Sequence, residues 1–246
     1  MIIALVVFVV TLITGLVMLS QASFLTIKNV SLAGNATISQ EAVLATVDKH
    51  LTGDYLWLFP KRNIFLYPKD RLVETLLKQF ATAKKVSIKR RSLQTIMIEF
   101  SERENNALWC LNESECFFLD SSGYVFAQAP NFSGDIYRKY FGGISADPIG
   151  QQYLSAKDFA ALESFVTAVS SLGLTPKATY LTASGDYEIF LTTSSKIMLN
   201  QEKSLVATFI NLEALWQSRD FQTELAGKNL DYIDLRFGNK VFYKLH

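Results

Sequence analysis

The chain has 246 residues, with 24 lysines and arginines against 23 aspartates and glutamates. The formal net charge of +1 argues against a dedicated nucleic-acid-binding protein, which would present a concentrated basic surface, so we expect no nucleic-acid partner. Hydrophobic residues make up 49% of the chain and include 18 Phe, which is enough for a packed core and excludes a mainly disordered protein.

Residues 1–22 contain no charged side chain and are predicted to form a transmembrane anchor. A helix of about 19 apolar residues spans roughly 28 Å, close to the hydrocarbon thickness of a bilayer. A cleaved signal peptide is the alternative, because Ser20-Gln21-Ala22 has the small-x-small pattern of a cleavage site. The apolar run is longer than usual for a signal peptide and lacks a basic flank, which favours a retained single-pass anchor.

Residues 23–104 are predicted to form a small β-α-α-β-β unit, with two helices against one face of a sheet. Helix caps, glycines and alternating apolar residues mark its elements. In chain order they are a strand from Phe24 to Leu32 ending at Ala33-Gly34-Asn35, a helix capped by Thr37 or Ser39 and ended by Gly53, a helix after Pro68, and a hairpin that pairs 85–89 with 96–101.

Residues 105–246 are predicted to form a larger, mostly antiparallel β domain with two packed helices, so the fold class is α+β. Turn residues between short apolar runs indicate several hairpins. In chain order we expect a hairpin turning at 120–123, a helix over 155–172, hairpins turning at 184–186 and 193–195, a helix over 202–217, and a terminal hairpin turning at Gly238-Asn239.

The two cysteines flank the polar turn 112–115. If Cys110 lies opposite Cys116 in a hairpin, the two side chains share a sheet face at a distance that suits a disulfide. Such a bond would place the domain outside the cytoplasm. The alternative is a pair of buried free thiols.

The sequence contains no pattern typical of an active site. It has no glycine-rich phosphate loop, no Gly-x-Ser-x-Gly and no His-Glu-x-x-His. His50 lies near a predicted helix end, where it complements the helix dipole, and His246 is the last residue. Because no other histidine exists, a Ser-His or Cys-His nucleophile pair is hard to assemble. We expect no catalytic, cofactor or metal site, and no enzyme.

The segments 27–35, 95–109, 119–126 and 232–237, taken together and in chain order, resemble the FtsQ/DivIB family of bacterial cell-division proteins. The first two look like the opening strand of a POTRA domain and its last strand with a Glu-Arg pair and a following Ala-x-Trp. The other two look like an Asp-x-x-Gly hairpin and the family's terminal Asp-Leu-Arg strand.

The resemblance implies a non-enzymatic divisome scaffold, held by one helix in the cytoplasmic (inner) membrane with its POTRA and β domains on the outer, periplasmic or extracellular, face at the division septum. It implies recruitment of FtsB/DivIC-like and FtsL-like coiled-coil proteins through the C-terminal hairpin, and contacts between the POTRA domain and other divisome proteins. By position, Arg236 and Phe237 match the residues that flank the family's partner site. The rival hypotheses are an anchored cell-wall enzyme and a POTRA-bearing transport or assembly protein.

The last strand favours partner binding on its own residues. After Gly238, the segment Val241, Phe242 and Tyr243 is short, aromatic and free of proline. At a sheet edge it would offer unpaired backbone groups to an added strand. The alternative is that the predicted helix 202–217 covers it. If the edge is open, we expect proline at Phe242 or Tyr243 to abolish partner capture and leave the fold largely intact.

Overall fold

The structure of the chain is a computed structural model. The structure describes residues 2–34, 36–132, 134, 136–144 and 147–246, so Asn35 of the predicted first turn lies outside the described residues. The chain is α+β and divides into two compact units, 1–103 and 104–246.

The first helix, α1 (Ile2–Ser20), is long and apolar enough to cross a membrane. Its large side chains are almost all exposed, so little of the described part of the chain covers them. Exposed aliphatic surface of this extent is unfavourable in water and favourable in a hydrocarbon layer. A single 3₁₀ turn (Ser23–Leu25) follows the helix. The strand predicted from Phe24 is therefore wrong in its first half.

The first unit contains a three-stranded sheet, two helices and a small hairpin. The strand order is β1-β5-β4, with β1 parallel and β4 antiparallel to β5. The predicted order β-α-α-β-β is confirmed, and the β2–β3 hairpin is an addition to it. The elements are β1 (Asn29–Ala33), α2 (Gln40–Leu51), β2 (Asp54–Tyr55), β3 (Phe59–Pro60), α3 (Lys69–Gln79), β4 (Ala83–Arg90) and β5 (Thr95–Glu102).

Local side-chain chemistry sets the start of α2. The Ser39 hydroxyl accepts a hydrogen bond from the Ala42 amide, so Ser39 is the cap. Thr37, the other predicted cap, instead donates its hydroxyl to a Glu102 carboxylate oxygen at 2.6 Å. Apolar side chains at helical spacing on α2 and α3 then meet alternate residues of the sheet, and together they form the core of this unit.

The second unit is built on one nine-stranded sheet with three helices. The strands are β6 (Ala107–Asn112), β7 (Glu115–Leu119), β8 (Val125–Gln128), β9 (Lys139–Gly142), β10 (Pro176–Leu181), β11 (Asp186–Leu191), β12 (Lys196–Asn200), β13 (Leu230–Phe237) and β14 (Lys240–Leu245). The helices are α4 (Ala156–Ser171), α5 (Leu205–Gln217) and α6 (Arg219–Leu225). All the predicted hairpins of this unit are present.

The sheet is mixed, with strand order β14-β13-β12-β11-β10-β9-β6-β7-β8. Five of its eight strand pairings are antiparallel, as predicted, whereas β12–β13, β9–β10 and β6–β9 run parallel, which was not predicted. Two of these parallel pairs are joined by helical crossovers, as parallel neighbours require. The prediction of two packed helices is wrong. Ser218 caps the short third helix α6, and Phe221 anchors it in the interior.

The helices cover one face of the nine-stranded sheet. The main core lies between that face and α4 and α5, and its largest fully buried residues include Trp109, Tyr140 and Phe159. The opposite face carries a smaller apolar cluster around Leu108, Cys110 and Phe141. The sheet therefore has one face packed against helices and one face that is only partly covered.

Candidate partner-binding edge

Strand β14 lies at one end of the nine-stranded sheet. Within the described part of the chain its only neighbouring strand is β13, to which it pairs antiparallel from Phe237↔Lys240 to Leu230↔Leu245. An edge strand presents a row of backbone donors and acceptors that its own sheet does not use. The predicted terminal strand is thus placed where strand addition is geometrically open.

The register of the hairpin decides which residues face outward. A two-residue turn at Gly238-Asn239 makes Phe237 and Lys240 a hydrogen-bonded pair. At the other end, His246 and Asn229 exchange both backbone hydrogen bonds, at 2.9 Å each. Both irregularities of the pairing insert extra residues in β13 and none in β14.

Even-numbered residues of β14 therefore direct their backbone toward β13, and odd-numbered residues direct it toward the open edge. The outward N–H and C=O groups belong to Val241, Tyr243 and Leu245. The expectation for Phe242→Pro is corrected by this register, because the Phe242 amide faces β13 and proline there would break the hairpin itself.

The helix layer packs against one face of β14 and leaves its edge open. Val241 and Tyr243 are partly buried against the main core. The Tyr243 hydroxyl donates to a Glu224 carboxylate oxygen at 2.8 Å, and its ring packs edge-on against Phe221 with centroids 4.9 Å apart. The hydrogen bond to Glu224, with a smaller contribution from burial, raises the pKa of Tyr243. The helix predicted over 202–217 covers the face and not the edge.

The opposite face of the hairpin carries two exposed aromatic rings. Phe237 and Phe242 are 58% and 50% exposed, and their rings meet edge-to-face with centroids 5.4 Å apart. Together with Tyr232, Asp234 and Lys240 they line a shallow cavity of about 610 Å³. This cavity borders the open edge, so an added strand would find an apolar depression for a side chain next to the backbone groups.

Arg236 does not project freely into this site. Its guanidinium donates to both oxygens of Asp234, at 2.9 and 2.7 Å, and to Asp186 on β11 at 3.1 Å. Burial alone would raise the pKa of Asp234, but the hydrogen bonds from Arg236 outweigh it and hold the pKa below its usual value. Hydrogen bonds to Asp234 and Asp186 raise the pKa of Arg236 in turn. Arg236 therefore ties β13 to β11, and its guanidinium is held by these two carboxylates.

The turn that joins β13 to β14 is also tied to the helix layer. The Asn211 side-chain amide on α5 donates to the Gly238 carbonyl at 3.1 Å. Gly238 has a φ of +68°, the left-handed conformation that two-residue hairpin turns require and that glycine adopts without strain. The predicted site residue Gly238 therefore shapes the turn, while Val241 and Tyr243 supply the edge.

At the other end of the sheet, the chain itself covers part of the edge strand β8. Strand β8 has only four residues, and the segment 150–152 runs beside it. The Val125 amide donates to the Gln151 carbonyl, and the Val125 carbonyl accepts from the Gly150 amide, at 2.9 and 2.8 Å. The chain itself thus uses outward backbone groups of β8 that a partner would need.

Cys110 and Cys116 lie directly opposite each other in the β6–β7 hairpin and are joined by a disulfide bond. Cys110 is buried, and the pair belongs to the smaller apolar cluster on the partly covered face. The bond lies near the β8 end of the sheet and far in strand order from β14. It stiffens the scaffold and takes no part in the candidate edge.

A larger cavity, of about 660 Å³, lies between α4 and α5. Phe165, Tyr187 and Phe209 form much of its wall, and the carboxylates Asp158 and Glu202 stand at its exposed margin. Asp158 has a structural role, because its carboxylate accepts a hydrogen bond from the hydroxyl of Ser155, the residue that caps α4. In the described residues, no group of three or more His, Cys, Asp or Glu is arranged to hold a metal ion.

Sequence reasoning missed three residues that shape the candidate edge. Asp234 stands inside the quoted Asp-Leu-Arg segment, so the sequence carried a signal for it. Asp186 and Glu224 are 50 and 19 positions from their partners, and no local pattern connects them.

Comparison with models of known protein families finds no match to this chain, and comparison with curated proteins finds none either.

Proposed function

We propose that this chain is a non-enzymatic, membrane-anchored scaffold of the FtsQ/DivIB type that recruits small coiled-coil division proteins to the septum. The observation that carries the proposal is the position of β14 at an open sheet edge, with Val241, Tyr243 and Leu245 directing backbone groups outward. A partner strand that pairs there gains a ladder of main-chain hydrogen bonds, and the cavity at Phe237 and Phe242 gives it side-chain selectivity.

The first unit supports the same proposal. A β-α-α-β-β order with the first strand parallel to the last is the arrangement that a POTRA domain would need, directly after an apolar helix. On this proposal α1 is the single-pass anchor, the chain acts on the outer face of the cytoplasmic membrane, and this unit contacts other divisome proteins. The disulfide fits an oxidising compartment outside the cytoplasm.

The proposed partner class follows from the edge. FtsB/DivIC-like and FtsL-like proteins are small coiled-coil chains, and one of them would contribute an extended segment beside β14. Such a segment needs no deep pocket, and its affinity comes from backbone pairing together with one or two anchored side chains. The exposed rings of Phe237 and Phe242 are suited to hold those anchors.

The test is site-specific photo-cross-linking in membranes of the native organism. A photoreactive phenylalanine replaces Phe242 at the open edge or, as the matched control, Gln128 in the short and partly covered edge strand β8. We expect a cross-link from position 242 to a small single-pass protein with heptad repeats, and little from position 128. Equal cross-linking from both positions, or adducts that lack a coiled-coil protein, would contradict the proposal.

A further inference from the structure

The β2–β3 hairpin lies against the end of α1. The Gln21 side-chain amide, directly after the helix, donates to the Leu58 carbonyl at 3.2 Å. The Asn63 side-chain amide donates to the Ser20 carbonyl at 2.8 Å, and both Asn63 and Ser20 are buried. The hairpin is therefore fixed at the level where the apolar helix ends.

Further backbone contacts extend this attachment. The Ile27 amide donates to the Arg62 carbonyl, and the Ile64 amide donates to the Leu25 carbonyl, both at 2.9 Å. The chain that leaves α1 is thus paired with the chain that leaves the hairpin. Trp57 is one residue from Leu58, so its Cα lies about 3.8 Å from that of a residue bonded to the helix exit.

Exposed apolar side chains of the first unit gather at this place. Outside α1, the described residues of the unit expose eight large apolar side chains, and seven of them lie at position 24, in 55–58 or in 65–66. The eighth, Leu93, neighbours Gln94, whose side-chain amide donates to the Ser23 carbonyl at 2.9 Å. All eight therefore lie on segments tied to the helix exit or next to them.

The two residues at the tip of the β2–β3 hairpin have an unusual backbone conformation and exposed side chains. Leu56 and Trp57 both have left-handed backbones, with φ of 51° and 58°, in a turn closed by the Leu58 amide and the Tyr55 carbonyl. Asn-Gly is the pair that adopts this turn without strain. The large side chains at these positions are 77% and 93% exposed, so packing within the protein does not explain them.

Basic groups accompany the aromatic rings. The Arg90 guanidinium lies over the Phe65 ring at 4.6 Å, and the Lys61 ammonium lies 5.8 Å from the Tyr55 ring centre. Arg62 is neutralised by Asp48 at 2.7 Å, and Asp54 on β2 is exposed. Aromatic rings with a few cations beside them are typical of segments at the headgroup level of a bilayer.

We propose that the β2–β3 hairpin inserts Leu56 and Trp57 into the interfacial layer of the bilayer that α1 crosses. The occupant of this apolar surface is lipid, and the contact is a second, reversible attachment that fixes the tilt of the first unit on the membrane. The inference rests on α1 crossing a bilayer and is independent of any partner at β14.

The test uses the full chain in lipid nanodiscs. The emission of Trp57 is obtained as the difference between the wild type and Trp57→Phe, which removes the signals of Trp109 and Trp216. We expect lipids brominated near the headgroup end of their acyl chains to quench most of this emission, and aqueous iodide to quench little of it. Strong iodide quenching without bromine quenching would overturn the proposal.

One further outcome and one control complete this test. Shielding of Trp57 from both quenchers would mean that protein covers it, which also overturns the proposal. Flotation of the same samples with lipid separates this result from a failure of the anchor, because a chain that has lost α1 would not float.

A second variant removes the hairpin's apolar tip and keeps its turn. Leu56→Asn with Trp57→Gly supplies the favoured turn residues, so a hairpin with a purely structural role would show slower amide hydrogen exchange over 54–60. The membrane contact predicts the reverse in nanodiscs, with faster exchange in the variant than in the wild type. Slower exchange in the variant would contradict the membrane contact.

Discussion

The two edge strands of the nine-stranded sheet, β8 and β14, differ in whether the chain itself hydrogen-bonds their outward backbone groups. At β8 the strand is short and the segment 150–152 bonds to Val125, so the chain covers part of its own edge. At β14 six residues stand without an outer neighbour in the described part of the chain. Exposed edges invite pairing with other chains, and proteins usually protect them. Because the opposite edge is partly protected and β14 is not, β14 is a candidate for pairing with a partner strand.

The edge strand β4 in the first unit gives a second contrast. Four of its eight residues are lysine or arginine, which is a common means of discouraging edge pairing. Strand β14 carries two lysines, and one of them, Lys244, is neutralised by Asp231 at 2.9 Å. Hydrogen bonding to Asp231 raises the pKa of Lys244. The comparison indicates that β14 is the least protected of these three edges.

The largest expected effect is a loss of stability when the pairing of β14 with β13 is disrupted. Phe242→Pro removes an amide that bonds to β13, so we expect a loss of about 3 kcal/mol in the free energy of unfolding of the second unit. For a unit of this size that corresponds to a fall in Tm of roughly 10 °C. Thermal unfolding of the full chain measures it, with Phe242→Ala as the control for the lost ring.

A smaller effect is expected from the charged group beneath the edge. Arg236→Leu removes the guanidinium from Asp234, which is 5% exposed, and leaves it only the backbone amide of residue 236. We expect a loss of about 2 kcal/mol at neutral pH, less than the 3–5 kcal/mol typical of a fully buried pair because Arg236 is partly exposed. Retained stability in Arg236→Leu would show that the pair does not fix β13.

The pH dependence of the same variant gives an independent check. In the wild type the hydrogen bonds from Arg236 outweigh burial and hold the pKa of Asp234 below its ordinary value, so its stabilising contribution is present at neutral pH and is lost as the pH falls through the lowered value. Arg236→Leu removes the guanidinium but keeps the backbone amide at position 236, so the pKa of Asp234 should rise and the difference in stability between the two proteins should shrink on acidification. Parallel pH profiles for the two proteins would contradict this account.

The disulfide tests the β8 side of the comparison. Cys110→Ala with Cys116→Ala opens a loop of only a few residues, and we expect a loss of about 2 kcal/mol, or roughly 4–8 °C in Tm. Partner capture at β14 should not change, because the bond lies among the strands at the other end of the sheet. A variant that loses capture while it remains folded would show that the two ends are coupled.

The smallest expected effect on stability comes from a substitution in the opposite edge strand, β8. The Ala129 amide bonds to the Cys116 carbonyl, so Gln128 directs its amide away from β7. Gln128→Pro should change the free energy of unfolding by less than about 0.5 kcal/mol and leave partner capture unchanged. Loss of capture in this variant would indicate that partners use the β8 end of the sheet.

Much of the fold could be predicted from local patterns in the sequence. Alternating apolar residues and turn residues predicted the hairpins of both units except β2–β3, and apolar residues at helical spacing predicted α2, α4 and α5. The parallel neighbours could not be predicted, because β9 has four residues and no turn signal, and its partners lie far along the chain. Fold-level pairing of this kind depends on the whole core.

The candidate edge could be predicted only in part. Its aromatic residues and the Gly238-Asn239 turn are visible in the sequence, but the outward set depends on extra residues in β13 that only the register reveals. The contact of Arg236 with Asp186 spans 50 positions. The β2–β3 hairpin was missed for a different reason, since leucine and tryptophan are poor turn residues and their left-handed backbones contradict local preference.

The most direct test of the central claim is the affinity of the cross-linked partner for Val241→Pro and Val241→Ala. The Val241 amide faces the open edge, so proline removes a donor that only an added strand would use, and alanine controls for the side chain. We predict that Val241→Ala binds nearly as the wild type does, whereas Val241→Pro loses tenfold or more, about 1.4 kcal/mol, with its Tm preserved. Equal affinity in the two variants would contradict strand addition at β14.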